Sequence, residues 1–428
     1  MATRTNSHAA PSGRVRMNVS PIEGLSDGIN DIRLRTAAIV NELIVPAEPV
    51  LSRVGSSEAS DTRRKIKQRV QQEKLWAPHL PPEYGGMGIG FLQHAYMNEI
   101  LAYSGFSARL FGVVAPNSGN QKLLLRYGSD DQKKRWLEPL VRGDMESCFS
   151  MTEPDSPGSD PRSIRTTARR DGDSWIIDGH KWFTSNAKRA DFAIVVARTE
   201  TQGGEKGNLT QFIVPMDTPG LEIVRAVPVW GHSHGSHCEI IYDQVRVPAE
   251  NQLGARGSGH QAAQDRLGAG RVFHCMNSIG QMWRAFDLMC MRAKSREVHG
   301  GLLADKQFIQ GFIADSYTDI QAARLLTLRC ADLMAREQNT RIDISAIKVF
   351  VPAAFERVVD RAIQVFGAKG VSSDTPLASM YTGARTLRLA DGPDEVHRIL
   401  IAKHILRRYA ENHEGNDDAD ALGWDFGL

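Results

Sequence analysis

The spacing of apolar residues changes twice along the chain, and this constrains the fold more than any other feature. Between about residues 148 and 248, short runs rich in β-branched and aromatic residues alternate with Asp-Gly, Gly-Gly and Pro-Gly turn signals. On both sides of this segment the apolar residues instead recur three and four positions apart, as from Ile344 to Phe366. This order does not fit the βαβ alternation of a doubly wound parallel sheet.

A chain of 428 residues is long enough for about three structural units. The pattern predicts an α+β protein with a helical domain over residues 21–147, a β domain over 148–255 and a second helical domain over 256–412. Residues 1–20 are expected to form a disordered tail, and the acidic residues 413–428 a loose tail or docking arm.

Composition excludes several classes of protein. Lysine and arginine (52) nearly balance aspartate and glutamate (50), which gives no sign of nucleic-acid binding. No apolar run approaches the roughly 20 residues that span a bilayer. The five cysteines are widely spaced and form no CxxC pair, so we expect buried thiols in a reducing compartment. A cytoplasmic location is expected, or an organellar matrix if the arginine-containing N-terminus is a transit peptide.

Standard catalytic motifs are not found. The glycines of residues 85–90 follow a proline turn and do not satisfy GxGxxG, and no P-loop or HExxH occurs. One histidine cluster, His232, His234 and His237, has the composition of a metal site. A Gly/Ser/His loop is equally a flexible polar turn, which is the favoured interpretation, and no metal is predicted.

Several runs together resemble the acyl-CoA dehydrogenase flavoproteins. CFSMTEP at 148–154, GSD at 158–160 and GHKWFTS at 179–185 resemble the two signatures of that family's middle domain. The resemblance continues in PPEYGGMG at 81–88, QKKRWL at 132–137, Arg296 with Gln307, and QVFGAKGV at 364–371. It therefore extends over nearly the whole chain.

The resemblance implies a middle β-barrel or sandwich, a C-terminal four-helix bundle and bound FAD. It also implies an activity, the α,β-dehydrogenation of an acyl-CoA thioester to trans-2-enoyl-CoA, with an electron-transfer flavoprotein as acceptor. Members of this family use FAD contacts from a neighbouring subunit, so a homodimer or homotetramer is expected. The chain length and branching of the acyl group are not predicted.

The resemblance also assigns cofactor contacts. Met151 and Thr152 line the flavin edge, Trp182 covers one ring face and Thr184 bonds the ring system. Ser159 lies near the phosphates and the CoA arm. The residues expected to reach the FAD of a neighbouring subunit are Arg296, Gln307, Gln364, Gly367 and Ala368. Without the resemblance, Trp182 would be interpreted as a buried sheet aromatic and Arg296 as part of a solvated helix face.

The same comparison predicts the catalytic base. Most members of the family use a glutamate that precedes a glycine, and here Asp391 precedes Gly392. In having an aspartate here, the chain resembles the subgroup of animal acyl-CoA dehydrogenase family members ten and eleven, whose base is likewise taken to be aspartate. Asp391 is alternatively a helix N-cap, although Asp394 fits that role better because an apolar run follows it directly. Arg271 matches an arginine that lies beneath the active site in this family. The resemblance assigns Arg271 and Gly392 to the substrate site.

Two other functions remain open at this stage. A flavin oxidase of the same fold, similar to the nitroalkane oxidases, also uses aspartate and would differ in its reactivity with oxygen. A non-catalytic flavoprotein scaffold would keep the fold without the chemistry, and the shortened base together with Pro393 and Glu395 favours it. Bleaching of the flavin by an acyl-CoA would separate the scaffold from both enzymes.

Overall fold

The computed structural model describes residues 16–53, 55–200, 208–230 and 236–411. Most of the two predicted tails, residues 1–15 and 412–428, lies outside the described residues. Residues 16–20 form neither helix nor strand, but the main-chain N–H of Met17 donates to Asn41 Oδ1 at 2.9 Å. This part of the chain is therefore attached to the first helices.

The first part of the described chain is helical, as predicted. Its α-helices are α1 (Asp27–Ile39), α2 (Val45–Leu51), α3 (Ser57–Gln72), α4 (Phe91–Leu101), α5 (Ser107–Leu110), α6 (Asn117–Tyr127), α7 (Asp130–Gln132) and α8 (Glu138–Arg142). Wider π-helical turns at Val40–Ile44 and Lys133–Leu137 join α1 to α2 and α7 to α8. The proline turn between α3 and α4 requires glycine at position 86, because a Cβ there would lie 2.2 Å from the Leu80 carbonyl oxygen.

The middle of the chain forms a mixed sheet of eight strands among the described residues. The strands are β1 (Ser147–Ser150), β2 (Thr167–Asp171), β3 (Ser174–Ser185), β4 (Phe192–Thr199), β5 (Leu209–Pro215), β6 (Leu221–Ala226), β7 (His237–Pro248) and β8 (Gln252–Leu253). Their order is β6-β7-β3-β2-β4-β5-β8, with β1 parallel to β4.

The sheet folds over on itself. Trp175 of β3 contacts Phe212 of β5 with 5.2 Å between ring centroids, although two strands separate β3 from β5 in the sheet. Tyr242 of β7 likewise donates to Ser150 Oγ of β1 at 3.0 Å. Alternate residues of these strands face a shared apolar core, which is the arrangement of a barrel or sandwich.

The last part is a helical bundle, as predicted. Its helices are α9 (Gly259–Ser295), α10 (Gln307–Ala335), α11 (Arg341–Phe366), α12 (Leu377–Leu387) and α13 (Asp394–Glu411). A hairpin of β9 (Glu297–Val298) and β10 (Gly301–Leu302) joins α9 to α10. The predicted apolar stripe of α11 is buried against the other helices. Within the described chain, none of the helices is long and apolar enough to cross a membrane.

Polar contacts attach the first helical part to the bundle. Glu99 of α4 accepts two hydrogen bonds from the guanidinium of Arg324 on α10, at 2.8 and 2.9 Å. Asn98, the preceding residue, donates to Asn277 Oδ1 of α9 at 3.0 Å. Gly280 of α9 allows close packing here, since a Cβ would lie 2.1 Å from the carbonyl oxygen of Glu99. The long helix α9 is thereby fixed on one side, and its other faces meet α11, α12 and the sheet.

Candidate functional site

Asp391 lies in the short loop that joins α12 to α13. Its backbone has a φ of 57°, and that of Gly392 is 102°. The left-handed region is costly for a residue with a side chain unless the surroundings hold it there, and such strain is concentrated at functional sites. Gly392 is also required sterically, because a Cβ would lie 2.9 Å from His397 Nε2.

Two cations, the half-buried Arg271 and the buried Lys348, hold the main chain of this loop. Arg271 Nε of α9 donates to the carbonyl oxygen of Asp391 at 2.8 Å. Lys348 Nζ of α11 donates to the carbonyl oxygens of Leu387 at 2.7 Å and Ala390 at 2.9 Å. Arg271 therefore contacts the peptide of Asp391 and not its carboxylate. The loop is fixed from two helices, independently of what the carboxylate does.

The carboxylate itself contacts a histidine. His274 Nε2 lies 3.2 Å from Asp391 Oδ2, and about a quarter of the Asp391 side chain (24%) is exposed. Burial alone would raise the pKa of this carboxyl, but the hydrogen bond and charge of His274, with the charges of Lys348 and Arg266, outweigh it. The pKa of Asp391 is therefore held below its usual range, and the group is ionised.

The N-cap of α13 is not Asp394, and that prediction is wrong. The carbonyl oxygen of Pro393 accepts the first hydrogen bonds of the helix, so Asp394 is already inside its first turn. Its carboxylate binds Arg388 Nε at 2.8 Å, and Arg388 also contacts Glu356 at 2.9 Å. Asp394 is thus paired with a cation, and a negative charge in the first turn also suits the helix dipole. Asp391, three residues earlier, caps nothing.

A cavity of about 410 Å³ separates this part of the bundle from the sheet. Its lining comes from the sheet side, α9, α11 and α12: Val229, Trp230, His237, His274, Asn277, Gln281, Phe355, Ser379, Thr382, Gly383, Thr386 and Leu387. Trp230 Nε1 donates to Thr386 Oγ1 at 3.0 Å and so bridges the two sides. The volume and the mixture of aromatic walls with a few polar groups are those of a small-molecule site.

The predicted flavin residues of the sheet approach this cavity through a series of rings. Trp182 contacts Phe183 edge-on at 4.9 Å between ring centroids, and Phe183 lies 5.6 Å from the ring of His237, which lines the cavity. The φ of Phe183 is 50°, and 41% of its side chain is exposed at a break in the β3–β7 register. An irregular strand thus presents aromatic surface beside the cavity.

The two sequence signatures meet at a buried ion pair. Lys181 Nζ lies 3.0 Å from Glu153 Oε1 and donates to the carbonyl oxygen of Met151 at 2.8 Å. The main-chain N–H of Trp182 donates to the carbonyl oxygen of Thr152 at 3.0 Å. The structure therefore brings Met151, Thr152 and Trp182 together, with the side chain of Thr152 exposed.

Two other predicted residues of the sheet are placed differently. Thr184 is fully buried, and its Oγ1 lies 3.3 Å from Ser150 Oγ. Its hydroxyl is therefore engaged inside the sheet domain. Ser159 lies in the exposed loop after β1, where it is available to a ligand on the surface.

The remaining predicted cofactor residues form a group at the far end of the bundle. Arg296 follows α9, Gln307 begins α10 and Gln364 lies in the last turn of α11, and all three are exposed. Gly367 and Ala368 follow directly and are exposed as well. At about 1.5 Å per residue, the helix places Arg296 roughly 37 Å from Arg271. These five residues are therefore remote from Asp391 of the same chain.

The histidine cluster is only partly described. His232 and His234 lie outside the described residues, while His237 begins β7 with its Nδ1 2.7 Å from Ser185 Oγ. Burial lowers the pKa of His237. In the described ranges, no group of three or more His, Cys, Asp or Glu side chains is placed to hold a metal ion.

Sequence reasoning missed three groups that the fold places around Asp391. His274 lies one helical turn after Arg271 on α9, and this spacing could have identified it. His397, within the DGPDEVH run, has its Nε2 3.4 Å from the Asp391 carbonyl oxygen. Lys348 lies in the apolar stripe of α11, 43 positions before Asp391, and no local signal connects the two.

Comparison with known proteins identifies the family. Three acyl-CoA dehydrogenase domains match in order: the N-terminal domain over residues 31–144, the middle domain over 148–245 and the C-terminal domain over 257–406. The probable acyl-CoA dehydrogenase FadE2 of Mycobacterium tuberculosis is 42% identical over 80% of this chain and 85% of its own length. The butyryl-CoA dehydrogenase structure from Megasphaera elsdenii is 25% identical with a TM-score of 0.77, covering 91% of this chain and all (100%) of that one.

The subgroup predicted from the aspartate also appears among the relatives. Mouse acyl-CoA dehydrogenase family member 10 is 38% identical over 97% of this chain, and family member 11 of several animals is similar. The chain spans only 40% of the length of mouse member 10 and about half of that of member 11. The resemblance and the fold class inferred from the sequence are confirmed, and the chain belongs to the acyl-CoA dehydrogenase family.

Proposed function

We propose that the chain is an FAD-dependent acyl-CoA dehydrogenase in which Asp391 takes the proton from the carbon α to the thioester. One observation carries the proposal: Asp391, in the run that resembles the family's base segment, is an ionised carboxylate in a left-handed loop beside a cavity between bundle and sheet. A carboxylate with an oxygen free of other partners can accept a proton from bound substrate. The thioester makes the α C–H acidic enough to lose this proton. An acceptor beside the β carbon must take the hydride that leaves it.

The residues around the cavity fit a flavin. An isoalloxazine ring needs apolar walls on its faces and hydrogen-bonding groups at its edge, and it would supply the hydride acceptor when bound. Trp182 and Phe183 offer partly exposed rings, and the peptide of Thr152 is held in place by Trp182. Across the cavity, α9 and α12 contribute amides and hydroxyls from Asn277, Gln281, Thr382 and Thr386.

The distant group at the end of the bundle favours an oligomer. Arg296, Gln364 and their neighbours are exposed and too far from Asp391 to hold the same cofactor as Trp182 within one chain. An exposed guanidinium beside a helix end is suited to a diphosphate, since it can donate two parallel hydrogen bonds. We assign this group to the FAD of a neighbouring subunit, in a dimer or tetramer of this chain.

The electrons are proposed to leave the enzyme through an electron-transfer flavoprotein. Membership of the family and the need to reoxidise the flavin after each turnover support this partner. The identity of the acceptor can be tested separately from the first half of the reaction, because the reduction of the flavin by acyl-CoA needs no external electron acceptor.

The deciding experiment is an anaerobic titration of the purified FAD-loaded protein with acyl-CoA thioesters of different length and branching. Bleaching of the flavin band together with formation of trans-2-enoyl-CoA would support the proposal. Bleaching by nitroalkanes, with fast reoxidation by oxygen, would favour the oxidase instead. A flavin that no thioester or nitroalkane reduces would favour the scaffold.

A further inference from the structure

His274 is the link between the carboxylate of Asp391 and the cavity. It lies on α9 with 33% of its side chain exposed, and its ring forms part of the cavity wall. Its Nε2 is 3.2 Å from Asp391 Oδ2. In the part of the chain that the structure describes, it is the one side chain within hydrogen-bond distance of that carboxylate.

The chemistry of the two side chains determines which of them is the hydrogen-bond donor. An ionised carboxylate only accepts hydrogen bonds, so a hydrogen bond across the 3.2 Å between His274 Nε2 and Asp391 Oδ2 requires the proton to be on Nε2. One oxygen of Asp391 is thereby engaged, and among the described residues no side chain is placed to donate to Oδ1. The carboxylate then has a fixed plane and a single oxygen for an incoming proton.

The other charged groups around the loop cannot replace this contact. Arg271 and His397 face the carbonyl oxygen of Asp391, and Lys348 is bound to two other carbonyl oxygens. Arg266 influences the carboxylate by charge, while its Nε donates to Asn120 Oδ1 at 3.3 Å. These four residues fix the main chain or the local potential, and none of them sets the rotation of the carboxylate.

We propose that His274 is a positioning residue for Asp391, an inference that rests on the proposed function. It holds Oδ2 so that Oδ1 faces the substrate. During the reaction the bond between the α carbon and its hydrogen breaks, an O–H bond forms at Oδ1, and the electron pair becomes the new C=C bond. A bound flavin would supply the acceptor for the hydride that leaves the β carbon. His274 keeps its own proton throughout.

A positioning residue is needed here because the proposed base is shorter than the glutamate that most of the family uses. Aspartate has one methylene fewer than glutamate, and a misplacement of about 1 Å can cost a hundredfold in rate. The left-handed backbone at Asp391 sets where the side chain starts, and a second contact is needed to set its direction. His274 supplies that contact from the adjacent helix.

The test compares His274→Leu with His274→Gln in the FAD-loaded enzyme. Leucine removes the donor, so the rate constant for flavin reduction should fall about a hundredfold while acyl-CoA affinity stays within about twofold. Glutamine keeps an N–H donor on a side chain of similar reach, so it should restore the rate to within about tenfold of wild type. His404→Leu, an exposed histidine on α13, is the matched control and should be neutral.

A second readout does not depend on activity. In protein labelled with ¹⁵N-histidine, the His274 signal, identified by its absence in His274→Gln, should show a protonated Nε2 that shifts in Asp391→Asn. An unchanged signal in Asp391→Asn, a wild-type rate in His274→Leu, or equal losses in the Leu and Gln variants would each overturn the positioning role. If no thioester reduces the wild-type flavin, the proposed function fails, and the labelled signals still decide whether the pair exists.

Discussion

Lys181 and Glu153 form an ion pair inside the sheet domain, with 3.0 Å between Nζ and Oε1 and 0% and 4% of their side chains exposed. Four further donors converge on Glu153, from the main chains of Arg165 and Thr166 and from the hydroxyls of Thr166 and Ser156. Glu153 and Lys181 belong to different sequence signatures. Their pairing explains physically why TEP and HKW occur together, because each charge would be unpaired without the other.

Removing the carboxylate of this pair should destabilise the protein. Glu153→Gln leaves the Lys181 ammonium buried without a counter-charge, and the expected loss in the free energy of unfolding is about 3 to 5 kcal/mol. Chemical denaturation measures it, with Glu250→Gln, an exposed carboxylate of the same domain, as a control. Wild-type stability in Glu153→Gln would mean that the pair contributes nothing net.

The ion pair of Glu153 and Lys181 should also make the free energy of unfolding depend on pH. Burial would raise the pKa of Glu153, but the charge of Lys181 and the hydrogen bonds from Thr166 and Arg165 outweigh it and lower the pKa from its usual value of 4.5. The unfolded chain therefore takes up this proton first as the pH falls. The stabilisation by Glu153 is present above pH 4.5 and is lost below it. The Glu153→Gln variant should lack this part of the acid dependence.

The free energy of unfolding should also depend on pH through His397, in a higher pH range than through Glu153. Burial, and then the charges of Arg271 and Lys348, lower its pKa from 6.5 to about 4. Between these values the unfolded chain binds a proton that the folded protein does not, so stability should fall as the pH decreases from 6.5 to 4. The full effect is up to about 3 kcal/mol. Denaturation of His397→Asn across this range should show a shallower slope, and a slope equal to wild type would contradict the assignment.

Loss of the arginine at the far end of the bundle should weaken cofactor retention. Arg296→Ala removes charge-assisted hydrogen bonds worth roughly 1.5 to 3 kcal/mol each, so FAD should be lost on dilution or gel filtration. Lys294→Ala, an exposed cation two residues earlier, should keep it. The outcome that contradicts the assignment is wild-type FAD content and oligomeric state in Arg296→Ala.

The order of the domains could be predicted because it depends on local pattern. The continuous apolar run of Phe192–Thr199, which is buried on both faces, and the three-and-four spacing of Ile344, Ile347 and Val351 are each a local signal of one element. The fold of the sheet onto itself, seen in the contact between Trp175 and Phe212, depends on strand order and leaves no local signal.

The site was predictable only in part, for a similar reason. Asp391 could be found because the residues around it resemble a known run. Lys348 could not, because its role arises from the packing of α11 beneath the loop, and a lysine in an apolar stripe carries no sign of the carbonyl oxygens it will meet. Asp394 was misplaced because helix-start signals are shared by several neighbouring positions and do not show which residue a nearby Arg388 will bind.

The central claim is that Asp391 is the base, and anaerobic stopped-flow reduction of the FAD-loaded Asp391→Asn variant by an acyl-CoA tests it most directly. Asparagine keeps the size of the side chain but cannot take the proton. Cofactor and thioester should therefore still bind while the reduction rate falls by about 10² to 10⁴-fold. Asp394→Asn serves as the comparison, because that carboxylate is bound to Arg388. Reduction of Asp391→Asn at the wild-type rate, with Asp394→Asn inactive, would contradict the account.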